Sequence, residues 1–181
     1  QGVTIGPAPE TGLYRSWRFD TGGELYSSPA LSQNTLVVGS KSGYLYGLDA
    51  TTGNQIWSRE IGEYIVRSTP AITDTMIVIN NGYTVLAVSL EDGSDLWSQS
   101  VSFTGSTSPT IVDDVVYVVS QNGSIYALDV ATGAVNWKSQ TDGLIFGSPT
   151  VDSGRIYIAN DRGIVFGMRA DNGTILWRSD V

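Results

Sequence analysis

The sequence predicts an all-β fold, a β-propeller of four-stranded antiparallel blades. Three observations carry this. All five tryptophans, Trp17, Trp57, Trp97, Trp137 and Trp177, follow one another at intervals of forty residues. A glycine stands four residues before each of the last four, at Gly53, Gly93, Gly133 and Gly173. A hydroxyl residue followed by proline opens each unit, at Ser28-Pro29, Thr69-Pro70, Ser108-Pro109 and Ser148-Pro149, with the second shifted by one residue. A repeat of about forty residues holding four short strands is the period of a propeller blade.

Each unit reads as four strands in order. The first is the Ser-Pro step and the two or three residues after it. The second is a β-rich run, expected at Thr35–Gly39, Met76–Ile79, Val115–Val119 and Arg155–Ala159. Glycine turns follow at Gly43, Gly82, Gly123 and Gly163. The third strand alternates aromatic or aliphatic residues, as in Tyr44-Leu45-Tyr46-Gly47-Leu48, and a tight turn then leads to the tryptophan strand. A blade buries its faces only by stacking on its neighbours. One large indole per blade at a fixed place suits the seam between blades, its N–H meeting a carbonyl of the next blade. The tryptophans and turn glycines are therefore expected to be structural.

The expected organisation is a lead segment over residues 1–13, opening at Gln1 as a trimmed or mature N-terminus does, and propeller repeats over 14–181. Residues 14–20 match only the outermost strand of a blade. Complete blades fall at about 24–61, 64–101, 104–141 and 144–181. Four such blades with short loops make about half a ring, or an open assembly. An unpaired strand and uncovered blade faces call for partners, which points to closure by a second copy, head-to-tail filaments, strand addition to a neighbour, or excision from a longer propeller.

Composition narrows function by exclusion. The chain has 181 residues, with 18 acids against 10 Lys and Arg, a net charge of −8. Nucleic acid would be repelled. With no cysteine there is no disulfide, thiol nucleophile or thiolate-bound metal, and with no histidine a Ser-His-Asp triad is impossible. No apolar run is long enough for a transmembrane helix. The low charged fraction, 15%, leaves Ser, Thr, Asn, Gln and Gly to cover the surface, as on many cell-surface β proteins.

Ser-Pro, then Val-Val-Gly-Ser, then Gly-Tyr-Leu-Tyr-Gly-Leu-Asp-Ala-Thr-Thr-Gly, then Trp closely resembles the tryptophan-docking repeat of quinoprotein-dehydrogenase-like propellers. Ser28–Trp57 and Ser108–Trp137 carry it best, while Ser89, Arg169 and Asn172 depart from it. The resemblance covers about Tyr14–Val181 and implies an eight-bladed ring, of which four blades are half, and either a quinone-dependent dehydrogenase with calcium or a non-catalytic scaffold or sensor. Alcohol-oxidising members carry a vicinal cysteine pair, which this chain lacks, and the loops here are too short to roof a cofactor. The expectation is a non-catalytic module with no cofactor, interacting with itself or another protein, extracellular, on the cell surface or in the periplasm. The alternatives are a fragment of a quinone-dependent oxidoreductase and a small-ligand sensor domain.

Four minor candidates remain. Asp113-Asp114 and Glu91-Asp92 are acid pairs that suit a turn better than a hard cation, and no metal residue is assigned. Asp49 and Asp129 are expected to cap the turn before glycine. Arg67, the one charge among the channel-side residues, is a possible contact for an anionic ligand. Asn122 and Asn172 begin Asn-Gly-Ser and Asn-Gly-Thr sequons, possible glycosylation sites that overlap turns.

Overall fold

The computed structural model describes residues 16–62, 68–105 and 107–180. These hold sixteen strands in four antiparallel sheets, each with its strands in sequential order. Blade 1 is β1 (Ala30–Ser32), β2 (Thr35–Gly39), β3 (Tyr44–Asp49) and β4 (Gln55–Glu60). Blade 2 is β5 (Ala71–Ile72), β6 (Met76–Asn81), β7 (Thr84–Ser89) and β8 (Asp95–Ser100). Blade 3 is β9 (Thr110–Val112), β10 (Val115–Val119), β11 (Ser124–Asp129) and β12 (Val135–Gln140). Blade 4 is β13 (Thr150–Asp152), β14 (Arg155–Ala159), β15 (Ile164–Arg169) and β16 (Ile175–Asp180). The short strands β1, β5, β9 and β13 touch in succession and line the inner side.

Three apolar clusters fill the three seams between blades. Val37, Leu45 and Trp57 of blade 1 meet Ile77, Ile79 and Leu90 of blade 2. Val78, Val85 and Ala87 meet Val116, Val118 and Leu128. Tyr117, Val119 and Ile125 meet Ile156, Phe166 and Met168. In blades 2 and 3 the two middle strands are largely buried on both faces, so they read as nearly continuous apolar runs. The outer strands are mostly exposed.

Each outer strand carries a β-bulge at the same place. Trp57 pairs with Gly47, but the next pair is Gln55 with Leu48, so Ile56 has no partner. The same shift falls at Ala87/Val88, Ala127/Leu128 and Gly167/Met168. A bulge bends and twists its strand and re-aims side chains. Here the extra residues Ile56, Leu96 and Leu176 turn outward, 45–49% exposed, while the tryptophan faces the seam.

Blade 2 departs from the expected pattern. Its second strand runs on to Asn81 rather than ending at Ile79, and Asn81 pairs directly with Thr84 across Gly82-Tyr83. Gly82 has φ 63°, as a two-residue hairpin with glycine at its first central position requires. The other blades use a longer turn that Ser40, Ser120 or Asn160 stitches locally. Asn80, freed from that task, donates across the seam to the Thr107 carbonyl at 2.8 Å.

The outer strand expected at 14–20 is described from Ser16 onward, and Ser16–Asp20 forms no ladder. A strand needs a neighbour in its own blade, and none lies among the described residues. Trp17 and Phe19 nevertheless pack on blade 1, Phe19 edge-on to Tyr46 with ring centroids 5.4 Å apart.

Candidate functional site

The seams hold a repeated constellation. Four indole N–H groups donate to a carbonyl thirty-three residues on: Trp17 to Ala50 at 2.9 Å, Trp57 to Leu90 at 2.9 Å, Trp97 to Val130 at 2.8 Å and Trp137 to Ala170 at 3.0 Å. The ring then lies on the turn glycine of the next blade, so Trp57 covers Gly93 and Trp137 covers Gly173. Gly53, Gly93, Gly133 and Gly173 all have φ between 70° and 73°. Their lack of a side chain serves the turn and the indole at once. Trp177 makes no such bond among the described residues and is 39% exposed, against 6% for Trp57.

Turn carboxylates complete the seam. Asp49 accepts bonds from the Thr52 amide and hydroxyl at 2.6 and 2.8 Å, and Asp129 from those of Thr132 at 2.8 and 2.6 Å. Those bonds hold both carboxyls below the usual carboxylate value of 3.8. Such a group binds a proton more readily in the unfolded chain. Its stabilisation is therefore full above that value and is lost as pH falls through the lower folded value. We expect the urea midpoint to drop between about pH 6 and about pH 3, and Asp49→Asn to flatten part of that drop. A variant with the same acid limb as the parent would show that this cap contributes nothing.

A second relay runs along the inner side, and it gives the hydroxyl-proline steps a role that their sequence alone does not suggest. The amide of Ser28 donates to the Thr69 hydroxyl at 3.2 Å, that of Thr69 to Ser108 at 2.8 Å, and that of Ser108 to Ser148 at 2.8 Å. The hydroxyl before the proline in blades 2, 3 and 4 thus ties its blade to the one before. Proline has no N–H and fixes the local backbone, leaving the preceding hydroxyl free to accept. Ser108→Ala should cost about 1 kcal/mol, read from chemical unfolding, because the half-buried Thr69 amide loses its acceptor. An unchanged midpoint would mean that water replaces it fully.

The remaining sequence candidates fall in different places. Arg67 lies outside the described residues. Asn122 and Asn172 are exposed, and their side-chain oxygens accept the Ser124 and Thr174 amides at 3.1 and 3.0 Å, so both brace turns. Asp92 likewise accepts from Ser94. Among the described residues no three acidic side chains gather as metal ligands, and no helix is long and apolar enough to cross a membrane.

The family model described as outer membrane protein assembly factor BamB matches residues 9–103 and 81–181. The chain belongs to this family of quinoprotein-like propeller repeats. BamB from Moraxella catarrhalis superposes with a TM-score of 0.78 at 22% identity, over 92% of this chain and 56% of that one. Quinohemoprotein alcohol dehydrogenase from Comamonas testosteroni gives 0.75 at 14% identity, over 87% of this chain and 35% of that one. Tetrathionate hydrolase from Acidithiobacillus ferrooxidans is 41% identical over 46 residues, 25% of this chain and 9% of that protein. The chain thus spans little more than half of the BamB structure and less of the others. The likeness to the two solved structures is one of fold.

Proposed function

We propose that this chain is a non-catalytic propeller module whose work is protein interaction, outside the cytoplasm, at the cell surface or in the periplasm. The observation that supports it most directly is an apolar face of blade 4 that no other described residue covers. Tyr157, Val165 and Trp177 repeat the positions of Tyr117, Ile125 and Trp137, which the next blade covers. The Tyr157 and Trp177 rings keep the mutual placement of the covered pair, 6.1 Å apart against 6.2 Å. Yet Trp177 is 39% exposed. A preformed apolar face of this kind fits another polypeptide, and a second copy of the chain is the occupant to test first. Kinship with an outer membrane protein assembly factor favours the same class of role.

Light scattering on the purified chain should give a mass of two chains or more, falling to one in Trp177→Ala with folding intact. A parent that stays monomeric at high concentration removes self-association. The quinohemoprotein neighbour favours a second reading, a piece of a quinone-dependent oxidoreductase. Calorimetric titration with pyrroloquinoline quinone and calcium decides it, and heat that saturates at one quinone per chain would replace the first reading.

A further inference from the structure

The grooves at the outer ends of the seams allow an internal comparison. Between blades 1 and 2 the groove is lined by Thr35, Asp74, Ser89, Leu90 and Glu91. Between blades 3 and 4 the corresponding positions are Val115, Ser153, Arg169, Ala170 and Asp171. Arg155 stands where blade 2 has Met76, since each opens the second strand and pairs with the end of the third. Two exchanges change the groove. Ala170 in place of Leu90 removes bulk from its floor, and Tyr117 and Trp137 become part of its wall. The cavity is about 730 Å³, against about 570 Å³ between blades 1 and 2. The second exchange is Arg169, where blades 1 and 3 have the turn-capping Asp49 and Asp129.

Arg169 breaks two local rules. A guanidinium has no acceptor, so it cannot cap the turn as those carboxylates do. It also lies directly opposite Arg155 in the ladder, and like charges so placed destabilise a sheet. Asp171 offsets one of the two charges, accepting from Arg169 Nε and Nη2 at 2.9 and 2.6 Å. Arg155 has no carboxylate partner among the described residues, and it is exposed. In a chain of net charge −8, two arginines face each other at the lip of the enlarged groove. Departures of this kind collect at functional sites.

The geometry points to a carboxylate-binding groove between blades 3 and 4, in which Arg155 takes the acid and Arg169, steadied by Asp171, stands beside it. Arginine's planar fork matches a carboxylate in a two-point contact. Tyr117 and Trp137 offer the apolar wall against which the ligand's body lies. Asp113 also lines the groove. The same chemistry is presented by a free organic acid and by an Asp or Glu side chain of a polypeptide. The groove is separate from the open face of blade 4, so it stands or falls independently of the interaction proposed there.

The test is a titration of the ¹⁵N-labelled chain, at low salt, with glutarate and separately with a hexaglutamate peptide, following the arginine Nε signals. A saturable shift of the Arg155 signal is expected with at least one probe. In Arg155→Gln, followed through the Arg169 signal, binding should weaken by about tenfold or more, as loss of a hydrogen bond to a charged group does. Arg169→Ser, which places there the residue blade 2 uses, should weaken it while leaving the melting temperature unchanged or higher. Arg18→Gln, far from the groove, should change nothing. Response to glutarate alone assigns the site to free acids, and response to the peptide alone assigns it to a protein segment. No shift of Arg155 with either probe, or binding undiminished in Arg155→Gln, overturns the proposal. So does an Arg169→Ser variant that melts lower and binds as before, since Arg169 would then be structural.

Discussion

Replacing Trp57 with alanine should lower the unfolding free energy by about 3–5 kcal/mol, the range for deleting a buried aromatic side chain. Trp57 is 6% exposed and sits in the apolar cluster between blades 1 and 2. Its removal opens a cavity against Ile77, Ile79 and Leu90, and it strips the Leu90 carbonyl of its indole donor. A buried acceptor left unpaired adds to the loss. Trp177→Ala should cost about 1 kcal/mol or less, because its indole is 39% exposed and donates to no carbonyl among the described residues. Urea unfolding of the two variants beside the parent measures the contrast. Equal losses would mean that the indole stabilises its own blade rather than the seam.

Gly93→Ala should be the next largest effect, and it separates two contributions. Gly93 has φ 73°, a left-handed conformation that costs an L-residue about 1–2 kcal/mol. A Cβ there would also lie 2.8 Å from the Trp57 ring, well inside contact distance. Overpacking of that kind costs a further amount of about 1–3 kcal/mol. Gly154 provides the control, with the same φ of 73° but open space around it. Gly154→Ala should therefore show only the backbone part. If the two variants lose equal stability, the indole moves aside freely and the glycine serves the turn alone.

Much of this architecture is legible in one dimension because the same seam is built several times over. Spacing the tryptophans evenly with a glycine before each of the last four requires the same four strands between them, and the pattern of apolar runs and turn residues supplies those strands. The bulge beside each tryptophan was not legible, since a bulge is a mismatch between two strands and neither strand records it alone. The extended hairpin of blade 2 left only a one-residue slip in the period. Its consequence, Asn80 reaching Thr107, depends on which blade lies across the seam. The hydroxyl before each proline was visible as a marker, but the bond that gives it purpose joins residues about forty positions apart.

The candidate site divides the same way. The tryptophans and turn glycines declare themselves by repetition. Arg169 stood out only as a break in the repeat, because its meaning depends on Arg155, fourteen positions away in sequence and directly opposite in the ladder.

The blade, its four strands and the tryptophan at its edge follow from the order of residues, because local turn chemistry and apolar periodicity act within some forty residues and repeat. The tertiary structure alone decided how blades are joined. Indole to carbonyl, hydroxyl to amide and arginine against arginine are contacts between positions that the chain brings together only when sheets stack and register is set. Their energies depend on that geometry, and so does the difference between Trp57, shut inside a seam, and Trp177, exposed on the face of blade 4.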